Sequence, residues 1–302
     1  MDAAVLAARA TLAGAGVPSA EADAIALAAH ALGVSTSVVR HRMVLRENVD
    51  PNFLRAYAAL TARRAARVPL QHLTGRAHFR RLTLAVGPGV FVPRPETEIT
   101  AGLAIDAARA AAGIGIPPRV VDLCTGSGAI ALAIKDEAPE AEVIGVEVSE
   151  AAYDWARRNR DALGLDVALV LGDATSALTE LDGTADVVVS NPPYIPTGAV
   201  PVDPEVRDHD PEIALYGGSA DGLAIPRRIA VRAAALLKPG GVLLMEHADV
   251  QGETLIAALA ATGSYADLID HRDLTGRPRV VSARRATLGL DPSTATVPDA
   301  RS

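Results

Sequence analysis

The sequence predicts an α/β protein in which a small helical domain and a β-hairpin precede an open parallel sheet covered by helices. Three observations predict this architecture. Helical patterns occupy residues 1–68, a Gly-Pro-Gly turn follows them, and from Arg119 onward short valine-rich runs alternate with longer amphipathic runs. The chain has 302 residues, which is enough for one or two domains with a substantial core.

The helical domain is predicted from capping residues and apolar spacing. Its helices cover residues 2–13, the stretch between Ser19 and Gly33, a segment beginning at Ser35 or Ser37, and a segment beginning at Pro51. Serine suits a helix N-cap, glycine a helix end and proline the first helical turn. In the last segment Phe53, Tyr57 and Leu60 recur at helical spacing. These patterns indicate a small helical bundle.

A β-hairpin is predicted between this bundle and the sheet. Residues 82–86 alternate between apolar and polar side chains, and Gly87-Pro88-Gly89 is typical of a tight turn. Pro93-Arg94-Pro95 ends the segment, and Glu96-Thr97-Glu98 begins a helix with acidic residues in its first turn. We therefore divide the chain into a helical domain (1–75), a hairpin linker (76–95), a sheet domain (96–286) and a tail expected to be disordered (287–302).

The sheet domain is predicted from alternating strand and helix patterns. Strands are predicted at 120–123, 142–148, 167–171, 185–189, 242–246 and around 280–282, with helices at 129–137, 151–163, 223–237 and 250–261. Strands that alternate with helices favour a parallel sheet with helices on both faces.

The charge is distributed unevenly. The net charge is −7, but residues 1–90 contain 11 Arg, no Lys and five acidic residues, a balance of +6 that leaves −13 for the remainder. A basic first part predicts docking of a nucleic acid or an acidic partner, with an arginine-rich solvated surface as the alternative. Aromatic residues make up 3% of the chain, which disfavours a stacking platform for single-stranded nucleic acid.

Composition also limits the compartment and the cofactors. Cys124 is the one cysteine, which excludes an internal disulfide and favours a reducing cytoplasm. We see no basic and apolar leader and no run long enough to span a membrane. The seven histidines do not form the Cys/His spacing of a zinc site, so no metal is expected.

Polar groups follow three successive predicted strands. Asp122-Leu123-Cys124-Thr125-Gly126-Ser127-Gly128 joins the first strand to its helix and is neither a Walker A motif nor a complete G-x-G-x-x-G. Glu147 ends the second strand, 21 residues after Gly126, a spacing suited to a ribose diol. Asp173 ends the third and is suited to an exocyclic amino group. Ligands of open α/β sheets bind outside these strand ends, which predicts a nucleoside-bearing cofactor.

The fourth strand ends at Asn191-Pro192-Pro193-Tyr194. The prolines fix an extended turn, in which the Asn191 side-chain oxygen and the Pro192 carbonyl can each accept a hydrogen bond. Two acceptors side by side suit a planar –NH2 group, with Tyr194 or a proline ring against its face. The alternative is an ordinary turn at a strand end.

With these residues the chain resembles the S-adenosylmethionine-dependent amino methyltransferases marked by Asn-Pro-Pro-Tyr. Within that group it is similar to the protein-(glutamine-N5) methyltransferases of peptide chain release factors. The resemblance covers about residues 1–285 and is carried by the following segments: 69–75 (PLQHLTG), 92–98 (VPRPETE), 126–132 (GSGAIAL), 189–195 (VSNPPYI) and 214–223 (ALYGGSADGL).

The resemblance implies a Rossmann-like seven-stranded methyltransferase sheet, S-adenosylmethionine without a metal, and the glutamine of the release-factor Gly-Gly-Gln motif as substrate. It implies that the helical domain helps to dock the release factor in translation termination, with no membrane or direct nucleic-acid partner. Cofactor-binding residues would be Cys124, Thr125, Gly126, Ser127, Gly128, Glu147, Asp173, Ala174 and Asn191. Asn191, Pro192, Pro193 and Tyr194 would bind the substrate, and Asn191, Pro192 and Tyr194 would be catalytic.

Three residues depart from the family pattern. Cys124 replaces a usual glycine, Glu147 a commoner aspartate, and Ala174 a bulkier residue over the adenine. A positive φ at position 124 would cost about 1 kcal/mol. No general base is assigned, and Asp210, Glu246 and His247 are expected to have structural roles.

Two alternatives remain open. The same turn could hold adenine or guanine of DNA or RNA after base flipping. The protein could instead be a non-catalytic adaptor that binds the cofactor and the translation machinery. A Rossmann dehydrogenase is disfavoured because the first loop lacks the third glycine.

Overall fold

A computed structural model describes residues 1–113 and 116–287 of the chain. The chain forms two compact units. The first contains Met1–Pro93 and Ala199–Ala214, and the second contains Arg94–Gly198 and the chain from Leu215 onward. The predicted boundaries place 199–214 in the sheet domain and the hairpin in a linker, whereas the structure groups both with the helices. The expectation of a disordered tail falls, from residue 288 on, outside the described residues.

Within residues 1–93, the first unit contains the predicted helices and one more. They are α1 (Asp2–Gly14), α2 (Ala20–Leu32), α3 (Thr36–Val44), α4 (Pro51–Ala65) and the unpredicted α5 (Leu70–Thr74). The Ser35 hydroxyl accepts a hydrogen bond from Val38 N at the start of α3, and Gly33 ends α2 in the left-handed conformation. Glycine adopts that conformation without strain, which is why the helix ends there.

Apolar faces of these helices meet in one core. Leu12, Leu27 and Val39 are fully buried, and Tyr57 donates a buried hydrogen bond of 2.8 Å to Ala24 O. Within this core Arg64 pairs with Asp23 at 2.7 Å, with both side chains 4% exposed. A buried charge is costly unless it is paired. The α2 and α4 helices are therefore joined by an ion pair as well as by apolar packing.

The hairpin consists of β1 (Arg76–Phe79) and β2 (Leu82–Ala85), paired antiparallel with Phe79 opposite Leu82. Its turn is Arg80-Arg81, so Gly87-Pro88-Gly89 is not the turn of this hairpin, although Pro88 and Gly89 do form a turn further along the chain. Arg80 has φ 52°, a conformation usually signalled by glycine or asparagine. The glycines at 87–89 lie beyond β2, and residues 90–92 form no strand.

The second unit contains a seven-stranded sheet and its helices. In chain order the remaining helices and strands are α6 (Thr97–Ala111), β3 (Arg119–Leu123), α7 (Ala129–Glu137), β4 (Glu142–Glu147), α8 (Glu150–Leu163), β5 (Val167–Leu171), β6 (Ala185–Ser190), α9 (Pro204–His209), α10 (Ala224–Leu236), β7 (Leu237–Glu246), α11 (Gly252–Ala261), β8 (Tyr265–Arg272) and β9 (Pro278–Arg285). Of these, α9 belongs to the first unit.

The strand order is β5-β4-β3-β6-β7-β9-β8, with β3 to β7 parallel. The predicted α/β fold is confirmed, and the sheet is mostly parallel, with an antiparallel part at one edge. Strands β8 and β9 pair antiparallel to each other, and β9 is antiparallel to β7. The short link between β8 and β9, residues 273–277, has no room for the crossover that a parallel pair requires.

The strand β8 was missed because its sequence carries little strand signal. It lies at the sheet edge, and of its eight residues Tyr265 alone is buried. Asp267 has φ 52°, and the register with β9 shifts between Ala266 and Ile269. An irregular, polar edge strand lacks the apolar alternation by which strands are found.

The 199–214 segment interrupts the second unit shortly after the Asn191 turn and contains α9. Glu205 Oε1 lies 2.8 Å from Arg64 Nη2 and 2.8 Å from Arg67 Nη2, and Arg67 also contacts Asp203. These contacts use two of the arginines that gave the first part its positive charge. Part of the predicted basic surface is thus neutralised within the first unit.

Among the described residues, no single helix is both long and apolar enough to cross a membrane. The bent pair of α2 and α3, which meet at 101°, satisfies the length and composition requirements only when both helices are counted together.

Candidate active site

Four parallel strands bring their carboxyl ends to one edge of the sheet. Leu123 of β3 lies opposite Val146 of β4 on one side and opposite Ser190 of β6 on the other. Neighbouring strands are about 4.8 Å apart. The loop that begins at Cys124 and the turn that begins at Asn191 are therefore adjacent. The strand order reverses at this β3–β6 boundary, which is where open α/β sheets bind ligands.

The loop after β3, residues 124–128, folds over Asp122. Asp122 Oδ2 accepts hydrogen bonds from Thr125 Oγ1 at 2.6 Å and from Ala131 N at 3.1 Å. Burial raises the pKa of Asp122 to about 7, and its Oδ1 has no hydrogen-bond partner among the described residues. Thr125 N also donates to Val146 O. These bonds tie the loop to both β3 and β4.

The loop backbone requires three residues at positive φ: Cys124 (68°), Gly126 (57°) and Gly128 (84°). A Cβ at Gly126 would meet nothing within 4 Å, so the backbone there faces open space. A Cβ at Gly128 would lie 2.9 Å from Leu132 Cδ1. The loop therefore exposes its backbone at Gly126 and packs tightly on α7 at Gly128.

The left-handed conformation of Cys124 leads to a prediction about stability. We expect Cys124→Gly to stabilise the protein by about 0.5–1 kcal/mol, because glycine removes a strain of about 1–2 kcal/mol while increasing the entropy of the unfolded chain. The measurement is the midpoint of urea unfolding. Cys124→Ala, which retains the Cβ, is the control and should show no such gain. Equal unfolding midpoints for the two variants would contradict the strain argument.

Glu147 ends β4 and faces the loop. Its Oε2 accepts a hydrogen bond from Gly126 N at 2.8 Å, and its Oε1 accepts one from Ser149 N at 2.9 Å. Burial raises the pKa of this carboxyl, and the backbone hydrogen bonds oppose that rise. An ionised carboxylate has about four acceptor sites, so two remain for further donors. The predicted ribose-binding residue is thus in contact with the predicted cofactor loop.

Asp173 and Ala174 follow β5, next to the end of β4. Asp173 is exposed, and its Oδ1 accepts a hydrogen bond from Thr175 N at 2.8 Å, which is the main cause of its lowered pKa. Ala174 is 6% exposed and its side chain packs in the core of the sheet domain. Its backbone groups, rather than its methyl group, are therefore the part available to a ligand. Ser127 is buried, and its carbonyl accepts from Asn159 Nδ2.

The turn after β6 is held in place from behind. Ser190 Oγ donates to Leu123 O at 2.7 Å, which joins the turn to the strand that carries the loop. Asn191 is half-buried, and Pro192 and Pro193 are buried. Asn191 Nδ2 donates to Thr97 Oγ1 at 3.3 Å, and no described residue donates to Asn191 Oδ1 or to Pro192 O. The two predicted acceptors are therefore available to a ligand.

Tyr194 is fixed through its carbonyl group as well as its ring. Gln251 Nε2 donates to Tyr194 O at 2.9 Å and to Asp221 O at 2.8 Å. Burial raises the pKa of the Tyr194 phenol, and the positive charge of Arg279 opposes that rise. Gly222 packs so closely that a Cβ there would lie 2.0 Å from Tyr194 O. The Tyr194 carbonyl is thus bonded by Gln251 and packed against Gly222.

Of the three residues expected to be structural, Glu246 reaches this site. Glu246 is 2% exposed and accepts from Thr97 Oγ1 at 3.2 Å and Thr100 Oγ1 at 2.9 Å. His247 contacts Asp270 Oδ1 and Ala248 O instead, and Asp210 belongs to the first unit. Sequence reasoning did not connect Thr97 with Glu246. Among the described residues no group of three or more His, Cys, Asp or Glu is arranged to hold a metal ion.

Comparison with known proteins gives two matches to family models. A family model described as "Methyltransferase small domain" matches residues 82–203, and one described as "PrmC N-terminal domain" matches residues 3–75. The α/β fold, its loop at the strand reversal and the first of these matches define a methyltransferase.

Full-length relatives identify the family. The release factor glutamine methyltransferase of Streptomyces coelicolor is 52% identical over 276 residues, which cover 91% of this chain and 94% of the relative. The Mycolicibacterium smegmatis protein of the same name is 49% identical over 284 residues, which cover 93% and 96%. The chain belongs to the release factor glutamine methyltransferase family. Among solved structures, a T. thermophilus 16S rRNA N2 G1207 methyltransferase in complex with AdoMet and guanosine is 24% identical, with a TM-score of 0.48, and the match covers 70% of this chain and 49% of that one.

Proposed function

We propose that this protein transfers a methyl group from S-adenosylmethionine to the side-chain amide nitrogen of the glutamine in the Gly-Gly-Gln motif of peptide chain release factors. The observation that carries the proposal is the register of β3 and β6, which places the Cys124 loop beside the Asn191 turn. The relatives' shared name, at 52% and 49% identity, supports the substrate class.

The strand ends supply suitable groups for S-adenosylmethionine. The Gly126 backbone faces open space, where a ligand can approach without meeting a side chain. Glu147 retains acceptor capacity for ribose hydroxyls, and Asp173 is an exposed acceptor for the adenine amino group. We assign the loop residues Cys124–Gly128, with Glu147, Asp173, Ala174 and Asn191, to the cofactor.

The Asn191 turn supplies the acceptors for the substrate. S-adenosylmethionine, when bound, supplies a methyl group carried by a positively charged sulfur atom. An amide nitrogen is a weak nucleophile because its lone pair is delocalised. Asn191 Oδ1 and Pro192 O, each accepting one N–H, orient the –NH2 group and stabilise the positive charge that grows on nitrogen. Pro193 and Tyr194 line the turn, with the Tyr194 ring against the amide plane. As the nitrogen gains the methyl group it loses one N–H proton, which passes to solvent because no side chain is assigned as a strong base.

Methylation of a nucleic-acid base is the competing activity, because adenine also presents a planar –NH2 group. The acidic sheet domain and the internal pairing of Arg64 and Arg67 argue against a nucleic-acid substrate. The proposal also includes a release factor as the partner and a cytoplasmic location. It includes no membrane and no nucleic-acid partner. The single Cys124 agrees with a reducing compartment.

The test is a methylation assay with three substrates: a purified release factor, the same factor with the motif glutamine replaced by alanine, and total cellular nucleic acid. Mass spectrometry of the glutamine-bearing peptide should show a gain of one methyl group in the first substrate alone. Methylation of nucleic acid but not of the release factor would establish the competing activity. Cofactor binding with no product on any substrate would favour the non-catalytic adaptor.

A further inference from the structure

We propose that Thr97 and Glu246 are positioning residues that hold the Asn191 amide with its oxygen facing the substrate nitrogen. The inference rests on the proposed function, since it concerns how the substrate-binding turn is oriented. The two residues are far apart in sequence, one at the start of a helix and the other at the end of a strand. Neither touches the proposed substrate or the proposed cofactor.

Three neighbouring elements bring the chain of hydrogen bonds together. Ser190 of β6 lies opposite Met245 of β7, so Asn191 and Glu246 leave adjacent strands at the same level. Thr97 is the first residue of α6 and lies between them. Asn191 Nδ2 donates to Thr97 Oγ1 at 3.3 Å, and Thr97 Oγ1 donates to Glu246 Oε1 at 3.2 Å. Thr97 and Glu246 are 4% and 2% exposed, which largely excludes water as an alternative partner.

The direction of these hydrogen bonds follows from the chemistry of the groups. An ionised carboxylate only accepts, so the single proton of the Thr97 hydroxyl goes to Glu246. The Thr97 oxygen can then only accept, and Asn191 must present its –NH2 group to it. A flipped amide would place Asn191 Oδ1 against an oxygen with no proton to offer. The carboxylate thus selects the amide orientation in which Oδ1 is left for the substrate.

The carboxyl group has little freedom to turn away. Thr100 Oγ1 donates to the second oxygen, Oε2, at 2.9 Å. The other charged or titratable groups facing Glu246 are Arg279 of β9, Glu96 before α6 and Tyr194 of the turn. Burial raises the pKa of Glu246 to about 7, and the two threonine hydrogen bonds and Arg279 oppose the rise.

This pKa gives the orientation a pH dependence. Above about pH 7 the carboxylate is ionised and the direction of the chain is fixed. Below it, a protonated Glu246 can donate to Thr97, the Thr97 proton can turn toward Asn191, and the flipped amide is no longer excluded. The turnover number kcat should therefore fall as the pH drops through about 7.

The first test compares Thr97→Val with Thr97→Ser. Valine preserves the shape but removes the hydroxyl, and we expect kcat to fall roughly 10- to 100-fold because the amide is no longer aligned. Serine keeps the hydroxyl and should retain activity within about threefold of the wild type. In both variants the KM for the release factor and the affinity for S-adenosylmethionine should change by less than about threefold, because Thr97 touches neither molecule.

The second test is the pH profile of kcat, which a purely structural role would leave unchanged in shape. Thr97→Val and Glu246→Gln should both lose the acid limb near pH 7. Thr100→Val removes a hydrogen bond that lowers the pKa of Glu246, so its acid limb should move to higher pH but persist. If Thr97→Val does not fold, the shifted limb of Thr100→Val still tests the proposal.

The outcomes separate this inference from the proposed function. Suppose that the wild type methylates its release factor and that Thr97→Val folds. If this variant then shows an unchanged kcat and an unchanged acid limb, the inference is overturned and the proposed function stands. The inference is also overturned if the acid limb of the kcat profile stays at the wild-type pH in both Thr100→Val and Glu246→Gln. Failure of the wild type to methylate any release factor removes the proposed function and this inference with it.

Discussion

Replacing Asn191 with alanine should abolish methyl transfer, lowering kcat by roughly 1,000-fold or more, while S-adenosylmethionine still binds. Asn191 supplies one of the two acceptors proposed to orient the –NH2 group and to stabilise its growing positive charge. Removing a single such group from an active site typically costs about 100- to 1,000-fold, and here the lost group also fixes the reacting nitrogen in space. Asn191 is itself one of the residues that we assign to the cofactor, but the Cys124–Gly128 loop and Glu147, which we also assign to it, are unaltered.

Two measurements on the same variant make this prediction specific. Calorimetric titration with S-adenosylmethionine should give an affinity within a few-fold of the wild type, and the melting temperature should be nearly unchanged because Asn191 is only half-buried. Methyl transfer is then measured on the release factor under single-turnover conditions. Near-normal turnover would remove Asn191 from the mechanism. Loss of cofactor binding would instead place its main role in the cofactor site.

The groups at the strand ends could be predicted from sequence because each is a local feature. Gly126, Glu147, Asp173 and Asn191 each follow a recognisable apolar run, and parallel strands place their carboxyl ends at one edge. The structure places all four there through the register of adjacent strands. Their roles toward ligands remain proposals, whereas their proximity follows from the fold.

The connection between Thr97 and Glu246 could not be predicted in this way. The two residues are separated by 149 positions, and their hydrogen bond depends on how α6 packs against the ends of β6 and β7. Neither residue type is unusual in its local context, since Thr97 starts a helix and Glu246 ends a strand. The pairing of Arg64 with Glu205, 141 positions away, is of the same kind.

Local conformation caused the errors in the hairpin and at the sheet edge. Arg80 adopts a positive φ without being glycine or asparagine, so the true turn has no residue signal. The positive φ of Cys124, by contrast, could be anticipated from sequence. The resemblance expects glycine at this position, and glycine is the residue that adopts a positive φ without strain.

The second large effect is expected at Gly222, which supports Tyr194 from outside the turn. Gly222 has φ 73°, and a Cβ would lie 2.0 Å from Tyr194 O and 2.9 Å from Gln251 Nε2. Since the nearest atom belongs to the backbone, no side-chain rotation relieves the contact. We expect Gly222→Ala to destabilise the protein by about 2–5 kcal/mol, from about 1–2 kcal/mol of backbone strain and about 1–3 kcal/mol of overpacking.

Gly218 offers a matched control in the same loop. It has φ 79°, but its added Cβ would meet Ile225 Cγ1 at an ordinary 3.6 Å. Gly218→Ala should therefore cost only the strain of about 1–2 kcal/mol. The difference in unfolding free energy between the two variants, measured by urea denaturation, isolates the contact with Tyr194.

Methyl transfer should distinguish the two glycine variants further. Displacing the Tyr194 carbonyl moves the end of the substrate-binding turn, and a displacement of about 1 Å can cost roughly 100-fold in rate. Folded Gly222→Ala should show such a loss in kcat, whereas Gly218→Ala should remain close to the wild type. Equal stability and equal kcat for the two variants would mean that the 217–222 loop relaxes away from Tyr194, and that Gln251 alone determines where the turn lies.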